Sequence, residues 1–157
     1  FLDIDDRLLA LTAVADLVYS PLVDNKIFPP DVDITLVEGA VSSVEDAEKI
    51  KHIRAHTRYL VALGDCAVTA NVPSMRNTIP VNKLLDSIYK NEELIHPQIP
   101  TVVVPPLLAQ SRPVRAVVKV DVFVPGCPPS ADTIFYTVSE LLAGRIPDLS
   151  DLTRFGA

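Results

Sequence analysis

The sequence predicts an α/β fold, an open and mainly parallel sheet with helices on both faces, and three observations carry that prediction. Two strand-like runs, Asp33-Ile34-Thr35-Leu36-Val37 and Tyr59-Leu60-Val61-Ala62-Leu63, flank a segment with helical periodicity. The second run is apolar almost throughout, as strands buried on both faces are. A third run, residues 117–124, leads through a proline-rich turn into another helical stripe. Strand, helix and strand in succession imply a right-handed parallel crossover.

Taken in order, Leu8, Leu9, Leu11, Thr12 and Ala15 share one face of a helix expected to start near Ile4, with Asp3, Asp5 and Asp6 at its positive end. Residues 16–20 read as a short strand or the approach to one. The strand over 33–37 ends at Glu38-Gly39. Ser42 with Glu45 three residues on spells a capping box, opening a helix striped by Val44, Ala47, Ile50 and Ile53. After the strand over 59–63 comes Gly64-Asp65-Cys66-Ala67-Val68, read as a loop. Beyond the proline-bounded stretch 73–80, Val81, Leu84, Leu85 and Ile88 suggest a short helix. Residues 91–113 carry five prolines and no long pattern, so an ordered surface excursion is expected there. Lys119 and Asp121 share a face of the strand over 117–124 that can be polar. Ser130 caps a last helix bearing Ile134, Phe135, Val138, Leu141 and Leu142, closed by Gly144 and Pro147. The sum is one domain over residues 1–157, of the flavodoxin-like kind.

A chain of 157 residues can bury roughly two thirds of its unfolded surface. The formal net charge of −6 and pI near 4.9 leave no electrostatic footprint for nucleic acid or anionic lipid. Hydrophobic residues make up 48% and mean hydropathy is +0.29, yet no apolar run approaches the roughly 20 residues of a membrane span. A buried sheet and a large protein interface account for that excess, which predicts an obligate subunit. Two cysteines do not make a disulfide-rich secreted scaffold. The chain opens at Phe1 rather than methionine, so the amino terminus is left unread.

Three strand ends carry conspicuous side chains: Glu38, then Asp65 with Cys66, then Cys127 in Pro125-Gly126-Cys127-Pro128-Pro129. Ligands of parallel sheets bind beyond the carboxyl ends of the strands, so these residues are expected at one edge. Gly39, Gly64 and Gly126 allow turns closed to other residues, and Pro128 and Pro129 stiffen the loop behind Cys127. Thiolates ligate zinc, copper and iron–sulfur clusters, and clusters usually take four. Spacing alone leaves the alternatives open. A buried, inert thiol is the ordinary fate of a cysteine, Glu38 can cap a turn, and Asp65 can bond its own loop. His52 and His56, four apart, sit on a helix that also carries Lys51 and Arg54, which favours a solvated face over a metal pair. His96 stays unassigned.

Recognisable motifs narrow the choice. Gly64-Asp65-Cys66-Ala67-Val68-Thr69, with Pro73-Ser74-Met75-Arg76-Asn77 following, and Val120-Asp121-Val122-Phe123-Val124-Pro125-Gly126-Cys127-Pro128-Pro129 resemble the second and third cysteine motifs of [NiFe] hydrogenase small subunits. Phe1-Leu2-Asp3-Ile4-Asp5-Asp6, Tyr19-Ser20-Pro21-Leu22-Val23-Asp24 and Leu36-Val37-Glu38-Gly39-Ala40-Val41 are similar to the soluble, NAD-reducing branch.

The resemblance implies a flavodoxin-like fold and one [4Fe–4S] cluster proximal to the NiFe site of a large subunit. Cys66 and Cys127 match two of its four ligands, with Gly64, Asp65, Gly126 and Pro128 in the cluster loops. The other two ligands belong to a Cys-x-x-Cys loop that would lie with its strand just ahead of Phe1, so the chain is expected to be a family member lacking its first strand and first cluster loop. The implied function is electron transfer in a cytoplasmic hydrogen:NAD+ oxidoreductase. Hydrogen chemistry resides in the large subunit, and iron–sulfur and flavin diaphorase subunits carry FMN and bind NAD. Glu38 is implied near the metal region, for positioning or proton movement, and Arg76 as a partner for an acidic group of the large subunit. Some relatives are proposed to hold FMN in the small subunit, although no phosphate-cradling glycine loop is visible here. Two rivals remain: the homologous cluster-bearing subunit of respiratory complex I, which serves quinone reduction, and a flavodoxin-like interaction module with structural thiols.

Overall fold

In the computed structural model, which describes residues 4–20, 25–91 and 94–153, the chain forms α1 (Arg7–Thr12), β1 (Val32–Glu38), β2 (Val41–Ser43), α2 (Val44–Ala55), β3 (Thr57–Leu63), α3 (Asp65–Thr69), α4 (Val81–Tyr89), β4 (Leu107–Arg112), β5 (Val122–Val124) and α5 (Ala131–Leu142). Short 3-10 turns occupy Val72–Thr78 and Val114–Ala116. Residues 1–3 and 21–24, part of the motifs quoted above, lie outside the described residues.

The main sheet has the order β1-β3-β5 and is parallel throughout. β3 is its centre, and the period of two along a strand divides its side chains between two faces. Leu60 and Ala62 pack with Ile50 and Ile53 of α2, Ala67 and Val68 of α3, and Val114. Val61 packs on the opposite side with Val122, Val124 and Leu141 of α5. Leu60, Val61 and Ala62 are all 0% exposed, and each fully buried Leu or Val contributes about 1.5–3 kcal/mol. The predicted open sheet with helices on both faces is therefore present, with β1–α2–β3 as its crossover.

A second, antiparallel sheet pairs β2 with β4. The expected surface excursion over 91–113 thus contains a strand that its sequence does not announce. Its residues are largely exposed, so no buried periodicity marks it, and contacts from elsewhere hold it. Ser111 N–H donates to Asn77 Oδ1 at 2.7 Å, and Asn77 returns a bond to Ser111 O at 2.9 Å. The Ser42 and Ser111 hydroxyls meet at 2.7 Å.

That contact also moves the capping box. With the Ser42 hydroxyl engaged across the sheet, Ser43 takes the N-cap of α2. Its Oγ accepts from Asp46 N–H at 3.1 Å, and Asp46 accepts from Ser43 N–H at 2.9 Å. The box is one residue later than the expected Ser42–Glu45 pair. α1 likewise starts later than Ile4, because Asp5 has φ +55°, outside the right-handed helical region. Residues 16–20 form no strand. β5 is shorter than residues 117–124, of which Val117, Val118 and Val120 pack against the core without pairing. α5 begins as expected, Ser130 Oγ accepting from Thr133 N–H at 3.2 Å. Among the described residues, no helix is long and apolar enough to cross a membrane.

Candidate functional site

The strand registers bring the chemistry-bearing positions to one edge. Glu38 pairs with Leu63, and Leu63 with Val124, so β1, β3 and β5 end level. Glu38, Cys66 and Cys127 all follow or close these carboxyl ends. Glu38 is exposed and precedes Gly39, whose φ is +84°.

Beyond β3 the chain turns at Gly64, φ +83°, directly into the one-turn helix α3. The motif reads as a loop in sequence, but Thr69 Oγ1 donates to Asp65 O at 2.9 Å and closes a helical turn. Cys66 rides on it, half-buried, while Cys127 is exposed. Beyond β5 the chain passes through Gly126 at φ +139°, and a Cβ there would come within 2.7 Å of backbone atoms of Pro129. Only glycine fits. The Cys127–Pro128 peptide is cis.

The two cysteine loops are joined to each other. Gly64 N–H donates to Val124 O at 2.7 Å and Asp65 N–H to Gly126 O at 2.8 Å, extending the β3–β5 ladder past the last paired strand residues. Gly126 N–H donates in turn to Asp65 Oδ1 at 2.7 Å. Asp65 is only 5% exposed.

Soft thiol donors on adjacent, glycine-built loops suit an iron–sulfur cluster. Among the described residues, however, no group of three or more His, Cys, Asp or Glu side chains could hold a metal ion. Cys66 and Cys127 are the thiols that these two bonded loops bring to that edge.

Other positions singled out in the sequence fall elsewhere. Arg76 turns inward instead of presenting itself to a partner, its Nη2 donating to Ser42 O and Leu108 O at 3.0 Å each. It staples the turn after α3 to the second sheet. His52, exposed on α2, and His56, half-buried at its C-cap, have ring centroids 4.4 Å apart, with His56 Nδ1 2.9 Å from His52 O and the His52 ring edge-on to Phe28. Arg54 reaches Asp121. His96 is exposed. Sequence reasoning notices Asp65 but not its bond to Gly126. The only available signal is that each cysteine is preceded by a turn-forming residue.

The fold, with a cysteine loop beyond each of β3 and β5, is that of a class of oxidoreductase subunits, as the family and relatives that it matches show. The chain belongs to the family described as NADH ubiquinone oxidoreductase, 20 Kd subunit, which it matches over residues 1–141. It is 39% identical to subunit delta of the NAD-reducing hydrogenase HoxS of Cupriavidus necator, over 99% of this chain and 77% of that one. With a vhu F420-non-reducing hydrogenase subunit of Methanocaldococcus jannaschii it shares 33% identity over 94% of its own length, spanning about half (52%) of that relative. A crystal structure of NAD+-reducing [NiFe]-hydrogenase in the H2-reduced state superposes with a TM-score of 0.92 at 36% identity, covering 98% of this chain and 88% of the other. The hydrogenase resemblance and the fold read from the motifs are thereby borne out.

Proposed function

We propose that this chain is the electron-transfer small subunit of a NAD-reducing [NiFe] hydrogenase, in which Cys66 and Cys127 ligate a [4Fe–4S] cluster proximal to the NiFe site. The observation that carries this reading is the bonded pair of cysteine loops at the carboxyl edge of a hydrogenase-like sheet. Bound there, the cluster would supply a one-electron relay between hydrogen chemistry in the large subunit and the iron–sulfur and flavin diaphorase subunits that reduce NAD+.

The chain's own residues divide the remaining work. Cys66 and Cys127 give two thiolates of the four that the family resemblance implies. Gly126 lets the backbone approach closely where a side chain cannot be accommodated, and Gly64 supplies the left-handed turn at φ +83°. Pro128 holds the turn after Cys127. Glu38, exposed at the same edge, orients the cluster loop or carries protons. Exposed apolar side chains follow the Cys66 helix, among them Val72, Met75 and Ile79, and they suit a face covered by the large subunit. The complex functions in the cytoplasm. FMN in this subunit is not part of the proposal, because no observation beyond the fold supports it. The hydrogenase relatives favour this role over quinone reduction.

The test is hydrogen-dependent NAD+ reduction and electron paramagnetic resonance of the purified complex carrying Cys66→Ala or Cys127→Ala. Both signals should be lost while the subunits still assemble. Unchanged activity with an intact cluster signal in either variant would sink the assignment, and a native protein purified as an iron-free monomer would support the simple interaction module instead.

A further inference from the structure

We propose that Asp65 is a positioning residue that sets the separation of the two ligand sulfurs, an inference that rests on the cluster reading above. Asp65 and Gly126 immediately precede Cys66 and Cys127, and they bond each other twice. The Asp65 N–H donates to Gly126 O at 2.8 Å, and the Gly126 N–H donates back to Asp65 Oδ1 at 2.7 Å. Any residue at position 65 with a backbone N–H can make the first of these bonds. The second requires a side-chain acceptor of aspartate's length.

Gly126 cannot hold itself in place. Its φ of +139° and the 2.7 Å approach that a Cβ would make to Pro129 exclude a side chain, so the anchor must come from the other loop. There the carboxylate sits on the same one-turn helix as Cys66, closed by Thr69 Oγ1 on Asp65 O at 2.9 Å. Each cysteine is thus one residue from a reciprocal bond whose halves move together. Asp65 is 5% exposed, so solvent replaces a lost acceptor poorly. Removing it leaves the Gly126 N–H without its acceptor and the Cys127 loop tied to the Cys66 helix by backbone bonds alone, without removing a ligand.

The role is geometric, so Asp65→Asn, which keeps an Oδ1 acceptor, separates position from charge. In the purified complex, Asp65→Ala should lose iron to a chelator about 10–100-fold faster, the range for groups that orient metal ligands, with altered resonance g-values. Asp65→Asn should retain wild-type g-values and rate of iron loss. If Asp65→Ala does not assemble, Asp65→Glu, with its acceptor one methylene farther out, should show altered g-values. Wild-type iron retention and g-values in Asp65→Ala or Asp65→Glu would overturn the proposal, as would an Asp65→Asn variant as damaged as Asp65→Ala. A cluster signal that survives Cys66→Ala would instead remove the cluster reading itself, and this inference with it.

Discussion

The carboxylate of Asp121 lies 2.5 Å from the guanidinium of Arg54, and the same oxygen accepts the Leu60 N–H at 2.9 Å. The end of α2, the centre of β3 and the entry to β5 are therefore joined at the amino edge of the sheet, opposite the cysteines. The side chains are 22% and 17% exposed, so the pair is more than a surface contact. Burial pushes the Asp121 carboxyl up. The Leu60 and Arg54 hydrogen bonds, with the positive charges of Arg54 and Lys119, outweigh it and hold the group below the ordinary aspartate value of 3.8.

A carboxylate with a lowered folded pKa stabilises the fold above its unfolded value, and that contribution disappears as pH falls through the folded value. Asp121→Asn should therefore cost about 1.5–3 kcal/mol near neutrality, the worth of hydrogen bonds to a charged group. The gap to wild type should close progressively below pH 4. Urea unfolding at a series of pH values measures both.

The capping box makes a second prediction. Ser43→Ala removes the acceptor for Asp46 N–H and should cost about 1 kcal/mol. Glu45→Ala, at an exposed position outside the box, should stay within about 0.5 kcal/mol. Equal effects in urea unfolding would contradict the observed register.

The glycines at the strand ends should differ in their tolerance of a methyl group. Gly39→Ala meets no atom within 4 Å and should cost only the left-handed backbone penalty of about 1–2 kcal/mol. Gly126→Ala adds a collision with the Pro129 backbone, so its loss should exceed about 3 kcal/mol, above the usual range for backbone strain. Thermal unfolding of the two variants tests the order.

Arg76 offers a fourth case. Arg76→Met keeps much of the side-chain bulk but loses two bonds to backbone carbonyls, so a loss of about 2–3 kcal/mol is expected. Hydrogen exchange should quicken in β4 while β3, at the centre of the sheet, keeps its protection.

What is legible in the sequence is whatever local pattern and burial specify together. β3 announces itself because Leu60, Val61 and Ala62 are buried on both faces, and α5 because Ser130 and a helical stripe coincide. β4 is hidden because Asn77, Ser42 and Arg76, distant in sequence, hold it through Ser111 and Leu108. The box shifts by one residue for the same reason, since nothing local to Ser42 reveals that its hydroxyl is engaged with Ser111. At the site, the cysteines and glycines can be read directly, and their placement at one edge follows from parallel topology. The Asp65–Gly126 bond spans sixty-one positions and belongs to tertiary structure alone.

The level register of Leu63 and Val124 carries one last consequence. Each cysteine stands three positions beyond its member of that pair, so the hydrogen-bond ladder works as a ruler with two equal arms. One inserted or deleted residue in either arm would move one sulfur out of step while leaving the other in place. Substitutions there can be graded in their effect, but a change of length cannot. Compensation would require the same change in both arms at once.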